Sequence, residues 1–161
     1  MNTIDPSSNG RGSEAWSVSW THFRVDRRSP GYCRVTFDHL PANAITATAV
    51  AELAELVGLI EQDPDLNVVV FDSANRDFFL GAGPAGPPGW SEVLDRLARA
   101  PAVSIASVRG RARGAGSEFV RACDLRFASR EDALGDQVEV RVIADDRLDD
   151  EVEAIALRLA D

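Results

Sequence analysis

Lysine is absent from this chain of 161 residues, and all 17 of its basic side chains are arginines. Without lysine the protein can form neither a Schiff base with a carbonyl substrate nor the lysine contact of a Walker phosphate loop. The 26 acidic residues give a formal net charge of -9 at pH 7. The chain therefore lacks the basic surface that nucleic acids and anionic membranes attract, and we expect neither as a partner.

Cysteine, histidine and long apolar runs are also scarce. The two cysteines, Cys33 and Cys123, lie among apolar residues, which favours buried thiols over a disulfide. Two histidines and no CxxC or HExxH motif give a metal site little support. No apolar run approaches the roughly 20 residues of a membrane span, and the first residues lack the apolar core of a signal peptide. The sequence thus predicts a cytoplasmic protein without a metal.

The most informative stretch is the glycine-rich segment GRARGAGSE at residues 110–118. It follows the apolar run AVSIASV and precedes FVRACDLRFAS, an order typical of a strand, a glycine turn and a helix start. Backbone N–H groups at such a helix start have no partner within the helix and can bind an anion or a developing negative charge. Glu118 lies just inside the predicted helix, either as a functional carboxylate or only as an acid that the helix dipole favours.

Strand and helix patterns alternate along the rest of the chain. Residues 1–14 are polar and predict a disordered tail, whereas 15–161 predict a single domain. Trp16 to Val25 alternate like a strand and, after a proline–glycine turn, pair with a second strand at 32–37 as a hairpin. The later predictions are a helix capped by Thr46 or Thr48 and stopped at 62–65, strands at 68–71, 102–108 and 125–128, and helices at 90–100, 118–122 and 149–160.

Five segments form a recognisable series: PANAI at 41–45, DPDLNVVVF at 63–71, RDFFLGAG at 76–83, the run from 100 to 129, and DQVEV at 136–140. Together they resemble the crotonase superfamily, which comprises the enoyl-CoA hydratases and isomerases, and 101–129 is the most specific part. The resemblance implies an α/β fold, a crotonase-like spiral of ββα units with mostly parallel sheets. It also implies an acyl-CoA thioester as substrate, no cofactor apart from the coenzyme A of that substrate, and a homotrimer or hexamer.

In this family two backbone N–H groups bind the thioester oxygen as negative charge develops on it. The resemblance assigns these donors to Ala82, which follows the glycine of the first loop, and to Ala115, in the middle of the glycine triplet. Alanine suits both positions if neither needs a positive φ. The positions that correspond to substrate-binding residues are Ala42, Ala44, Leu80 and Gly114.

The hydratases also place two glutamates around one water molecule, one to orient and deprotonate the water and the other to deliver a proton to carbon. Glu118 matches the first position, and Glu139 resembles the second, with Asp136 as the alternative if the alignment slips. The resemblance therefore implies hydration or double-bond isomerisation of an enoyl-CoA. A single retained acid would favour isomerase-type or other chemistry.

Three features depart from the family pattern. Gly83 stands where the first loop usually carries an aspartate, and the proline-rich stretch at 80–90 is short. After residue 140 the chain lacks the long helical segment that covers the acyl pocket in the family. These departures keep open a second function, that of a non-catalytic or repurposed crotonase-like protein that binds acyl-CoA or serves in an assembly. The arginines at 109, 111 and 113 are interpreted as solvated side chains or as ligands of the CoA phosphates.

Overall fold

The computed structural model describes residues 16, 19–39, 45–75, 78, 87–134 and 140–161. These residues form a mixed α/β structure, as the sequence predicts. Its strands are β1 (Phe23–Ser29), β2 (Tyr32–Phe37), β3 (Val68–Ser73), β4 (Val103–Val108), β5 (Leu125–Ala128) and β6 (Arg141–Val142). Its helices of eight or more residues are α1 (Ala47–Gln62), α2 (Trp90–Arg99), α3 (Ala115–Ala122) and α4 (Leu148–Ala160).

The six strands form one sheet in the order β1-β2-β3-β4-β5-β6. β1 and β2 are the predicted antiparallel hairpin, and every later pair is parallel. A parallel pair needs a crossover connection, and α1, α2 and α3 each lie between two successive parallel strands of the chain. The predicted mostly parallel sheet is thereby confirmed, and the carboxyl ends of β3 and β4 meet at one edge.

Helices cover both faces of the sheet. Phe71 on β3 and Ala106 on β4 belong to the larger core, which also holds the apolar faces of α1, α2 and α3. Their neighbours Val70 and Ile105 point to the other face and pack with α4. Because successive side chains of a strand point to opposite faces, strands buried on both sides are apolar throughout, which is why β3 and β4 are recognisable in the sequence.

Local capping explains where two of the helices begin. Thr46, not Thr48, caps α1, since its hydroxyl oxygen accepts a hydrogen bond from the Ala49 N–H at 3.1 Å. α3 begins at Ala115, three residues before the predicted start at Glu118. Gly114 accounts for this difference, because its φ of 54° and ψ of -127° turn the chain directly into the helix. Only glycine adopts such a backbone conformation without strain.

The N-terminal strand is shorter than its sequence pattern predicts. β1 begins at Phe23, and the prediction of a strand from Trp16 is wrong. Trp16 is helical and buried, and its indole Nε1 donates a hydrogen bond to Asp63 Oδ2 at 3.1 Å. Trp20 also packs against the larger core. The alternation of tryptophans with polar residues therefore reflects contact with the core instead of a place in the sheet. β6 has only two residues and gave no recognisable pattern.

α4 is attached to the sheet by a half-buried polar network as well as by its apolar face. Arg34 on β2 contacts Asp72 on β3 at 2.5 Å and Glu153 on α4 at 3.3 Å. The Tyr32 hydroxyl donates to the same Glu153 carboxylate at 2.5 Å. Asn67 completes the attachment by donating from its side chain to the Ala160 carbonyl at 2.9 Å. None of the helices in the described ranges is long and apolar enough to span a bilayer.

Alkaline pH is expected to destabilise the fold. Cys33 and Cys123 are free and buried, as predicted, and burial raises the pKa of each thiol from 9.0 to about 12. Burial, together with the hydrogen bond to Glu153, raises the pKa of Tyr32 from 10.0 to about 12. Because these groups ionise at a lower pH in the unfolded chain than in the folded one, their contribution to stability is complete below about pH 9 and is lost as the pH rises towards 12.

Denaturant titrations at pH 8, 9, 10 and 11, followed by circular dichroism, measure this loss. We expect the free energy of unfolding to fall continuously above pH 9. A free energy that stays constant up to pH 11 would contradict the burial of these three groups.

Candidate functional site

Two loops lie side by side at the carboxyl edge of the sheet. They follow β3 and β4, which are parallel neighbours, so both leave the sheet at the same edge. The N–H of Phe78 in the first loop donates to the carbonyl oxygen of Arg111 in the second at 2.9 Å, and Phe78 is buried. The first loop is thus attached to the second only four residues before Ala82, which itself lies outside the described residues.

The Ala115 N–H at the start of α3 has no acceptor among the residues that the structure describes. The N–H groups of Gly116, Ser117 and Glu118 donate to the carbonyl oxygens of Arg113 or Gly114 at 2.9 to 3.2 Å. Within the described ranges, by contrast, no group accepts a hydrogen bond from the N–H of Ala115. Ala115 is fully buried, and its φ is not positive, so alanine fits this position as expected. Since buried N–H groups are nearly always paired in folded proteins, this donor is suited to bind a ligand.

Glu118 lies in the first turn of the same helix, three residues after Ala115. Its Oε1 is buried and has no hydrogen-bond partner among the residues that the structure describes. An unpaired buried carboxylate oxygen costs free energy, and such an atom in a native fold calls for an explanation such as a catalytic role. The structure therefore brings together, within one helical turn, a backbone donor and a carboxylate oxygen that have no partner in the described ranges.

A cluster of aromatic rings holds this turn in place. Phe119 is in the middle, with ring centroids 5.5 Å from Phe37, 5.1 Å from Phe71, 6.0 Å from Phe78 and 6.2 Å from Trp90. These partners come from two strands, the first loop and the start of α2. Because Phe119 directly follows Glu118, the packing of its ring fixes the direction of the helix start. The sequence analysis did not identify this support, since its members are spread over more than 80 residues.

Two of the three arginines near the glycine-rich loop bind other parts of the protein. Arg113 donates from Nη1 to the Ala133 carbonyl at 2.5 Å and from Nη2 to the Asp132 carbonyl at 2.9 Å. Arg109 donates from Nε to Asp145 Oδ1 at 3.0 Å and also pairs with Asp149. Both guanidinium groups are therefore held by protein oxygens while staying partly exposed, and their role as ligands of the CoA phosphates stays a prediction.

The two histidines form a stacked pair beside α1. His22 is buried, with Nδ1 2.8 Å from Glu52 Oε1, and its ring stacks on that of His39 at a centroid distance of 4.4 Å. Glu52 also accepts hydrogen bonds from the backbone N–H groups of Thr21 and His22. The cluster joins the start of β1 to α1. In the described part of the chain, no group of three or more histidine, cysteine or acidic side chains could hold a metal ion.

The other predicted site residues fall outside the described ranges. On either side of the segment that carries Glu139, Leu134 belongs to the larger core and Val140 packs against it, and that core also contains Ala115. The structure thus places Glu118, Ala115 and Gly114, and the remaining assignments stay predictions. These are Glu139, its alternative Asp136, the donor Ala82, and the substrate-binding positions Ala42, Ala44 and Leu80.

Solved structures with the same architecture are enoyl-CoA hydratases. The enzyme from Mycobacterium smegmatis superposes with a TM-score of 0.72 at 24% identity, over 86% of this chain and 76% of that one. The enzyme from Mycobacterium avium subsp. paratuberculosis K-10 gives a TM-score of 0.74 at 20% identity, over 89% of this chain and 80% of that one. The chain therefore has the crotonase fold.

Sequence comparison points in the same direction. The fatty acid oxidation complex subunit alpha of Idiomarina loihiensis is 28% identical over 127 residues, which cover 70% of this chain and 18% of that protein. The chain thus spans less than a fifth of the length of this curated relative. No family model matches the sequence. Together with the structural similarity, this relative confirms the resemblance to the crotonase superfamily that the sequence motifs carry.

Proposed function

We propose that this chain binds an acyl-CoA thioester and hydrates or isomerises the double bond of an enoyl-CoA. The observation that carries the proposal is the pair of groups at the start of α3 that have no partner among the described residues, the Ala115 N–H and Glu118 Oε1. A fixed N–H donor directed at the thioester oxygen stabilises the developing enolate by about 3 to 4 kcal/mol. A carboxylate within the same turn can exchange a proton with water or with carbon.

Hydration of a 2-enoyl-CoA uses these groups to add water across the double bond. The thioester oxygen accepts hydrogen bonds from the N–H groups of Ala115 and Ala82, which draws electrons from the double bond and makes C3 electrophilic. Glu118 takes a proton from water as the water oxygen bonds to C3. The electrons that leave the double bond form the enolate, and Glu139, which starts protonated in the role proposed for it, gives its proton to C2. Release of a proton from Glu118 to solvent and uptake of one by Glu139 restore the starting state.

Isomerisation needs only one acid. With a 3-enoyl-CoA, Glu118 would remove a proton from C2 to form a dienolate, whose oxygen the same N–H donor stabilises, and would return the proton to C4, which moves the double bond to C2–C3. Both reactions use coenzyme A only as part of the substrate. We also propose the homotrimer or hexamer that the resemblance implies.

A second candidate function is acyl-CoA binding without turnover, in a repurposed or assembly role. It is favoured by the chain path after residue 140, where β6 leads within a few residues to α4. α4 packs on the sheet face opposite α3. No helix of residues 140–161 can therefore cover an acyl chain bound near Glu118. A pocket open to water would weaken the electrostatic stabilisation on which catalysis depends.

Incubation of the purified protein with crotonyl-CoA distinguishes these functions. We expect the absorbance of the conjugated double bond to disappear at a rate proportional to protein concentration. Calorimetry with butyryl-CoA, which has no double bond, measures binding alone. Binding without turnover would support the second function, and the absence of both would contradict both.

A further inference from the structure

We propose that Arg113 is a positioning residue for the oxyanion donor, because it holds the glycine-rich loop against the turn that follows β5. The inference rests on the proposed function, in which the Ala115 N–H binds the thioester oxygen. It goes beyond that function by assigning a role to a side chain that neither the motif nor the reaction chemistry requires.

The contacts of Arg113 join two segments that are 20 residues apart in sequence. Its Nη1 donates to the Ala133 carbonyl at 2.5 Å, and its Nη2 donates to the Asp132 carbonyl at 2.9 Å. The Ala133 carbonyl also accepts the backbone N–H of Ala112 at 2.9 Å. Arg113 is half-buried and Ala133 fully buried. The guanidinium group is thus fixed between two backbone segments instead of extending into solvent.

The position of this tether couples it to the candidate donor. Arg113 is two residues before Ala115, and its own carbonyl accepts the Gly116 N–H at 2.9 Å, which closes the first turn of α3. Between them, Gly114 has a positive φ of 54°. A glycine linkage transmits little restraint by itself, since glycine tolerates a wide range of backbone conformations. The Arg113 hydrogen bonds restrain the backbone on the N-terminal side of Gly114.

A planar guanidinium is well suited to this task. Two of its nitrogens reach two different carbonyls at the same time, whereas a lysine ammonium is a single point of contact on a flexible stem. Loss of both contacts would leave the Ala133 carbonyl with the Ala112 N–H alone and would free the loop to shift. Because a misplacement of about 1 Å can cost about 100-fold in rate, the effect should appear in the chemical step.

The test compares Arg113→Met and Arg113→Lys with the control Arg121→Met. Arg121 is exposed in the last turn of α3, so its replacement also removes one positive charge close to the glycine-rich loop in sequence. We expect Arg113→Met to lower kcat for crotonyl-CoA about 10- to 100-fold with little change in KM. Arg113→Lys should fall between Arg113→Met and the wild type, and Arg121→Met should match the wild type.

Two further readouts separate positioning from a loss of folding. Acetoacetyl-CoA forms an enolate whose absorbance reports its ionisation, and an intact oxyanion site lowers the pH at which the bound ligand ionises. We expect Arg113→Met to raise that pH, which a smaller folded fraction would not do. Amide exchange at Ala112 should also become faster in Arg113→Met, and this measurement requires no activity.

The outcomes distinguish this inference from the function on which it rests. If the wild type hydrates crotonyl-CoA and Arg113→Met behaves like Arg121→Met in all three readouts, the positioning role is wrong and the proposed function stands. If the wild type neither hydrates crotonyl-CoA nor promotes ionisation of acetoacetyl-CoA, the proposed function is wrong. The inference then falls with it, whatever amide exchange reports.

Discussion

Replacing Glu118 with glutamine is expected to lower kcat for crotonyl-CoA hydration by about 100- to 10,000-fold, the range typical for loss of a general acid or base. Glutamine keeps the length of the side chain but cannot take a proton from water. Binding of butyryl-CoA should change little, because the saturated ligand undergoes no proton transfer. Steady-state kinetics and calorimetry on the same preparation measure the two effects.

The same substitution should leave the fold intact or stabilise it. Glu118 Oε1 is buried without a hydrogen-bond partner in the described part of the chain, so the native protein carries an uncompensated polar atom. A neutral amide costs less to bury than a carboxylate. We therefore expect the free energy of unfolding of Glu118→Gln to equal or exceed that of the wild type, a trade-off between stability and activity that is common at active sites.

Glu55→Gln is the matched control, because Glu55 is exposed in the middle of a different helix, α1. It should keep wild-type activity and stability. Hydration by Glu118→Gln within about twofold of this control would show that the carboxylate has no part in the chemistry. A merely structural acid at a helix N-terminus, worth about 0.3 to 1 kcal/mol, would instead lower stability and leave turnover of the folded protein unchanged.

The second acid is tested by Glu139→Gln beside Asp136→Asn. If Glu139 delivers the proton to C2, its replacement should also lower kcat by 100-fold or more, by the same reasoning as for Glu118. Asp136→Asn should then have little effect, whereas the reverse result would mean that the alignment slips. Full hydration activity in both variants would exclude the two-acid mechanism and leave only chemistry that one acid can perform.

Most of the fold can be predicted from the sequence because its elements are marked locally. The segment LRFA at 125–128 forms β5, and Trp90 begins α2, both as predicted. Thr46 could be proposed as a cap since a hydroxyl before an apolar helical pattern has a known role. What local pattern could not provide was the strand start at Phe23, since the preceding tryptophans are buried by contacts with distant segments.

The candidate site is predictable only in part, for the same reason. The motif resemblance selected Glu118 and Ala115, but it could not predict which of their polar atoms have hydrogen-bond partners. In the described ranges the N–H of Ala115 has no acceptor because the Gly114 turn directs the chain into the helix, and the burial of Oε1 depends on contacts made by distant segments. The role of Arg113 depends on carbonyl groups 20 residues away, and no periodicity or spacing rule reports such contacts.

Ala115→Pro is expected to lower kcat about 100- to 1,000-fold by removing a single hydrogen-bond donor from the oxyanion site. Proline has no N–H, yet the first position of a helix accepts it, because the N–H at that position has no partner within the helix. Ala115 is the first residue of α3, and Gly114 before it has no Cβ to collide with the proline ring. The substitution thus deletes the candidate donor while allowing α3 to form.

Ala115→Val is the matched control, since valine adds a similar volume to this buried position but keeps the N–H. If the donor matters, the proline variant should lose far more activity than the valine variant, and acetoacetyl-CoA should ionise at a higher pH only in the proline variant. Equal losses in both would assign the effect to crowding. Full activity in Ala115→Pro would mean that a group other than the Ala115 N–H binds the oxyanion. The N–H groups of Gly116, Ser117 and Glu118 could not replace it, because all three already donate within the turn, so the first loop would have to stabilise the charge.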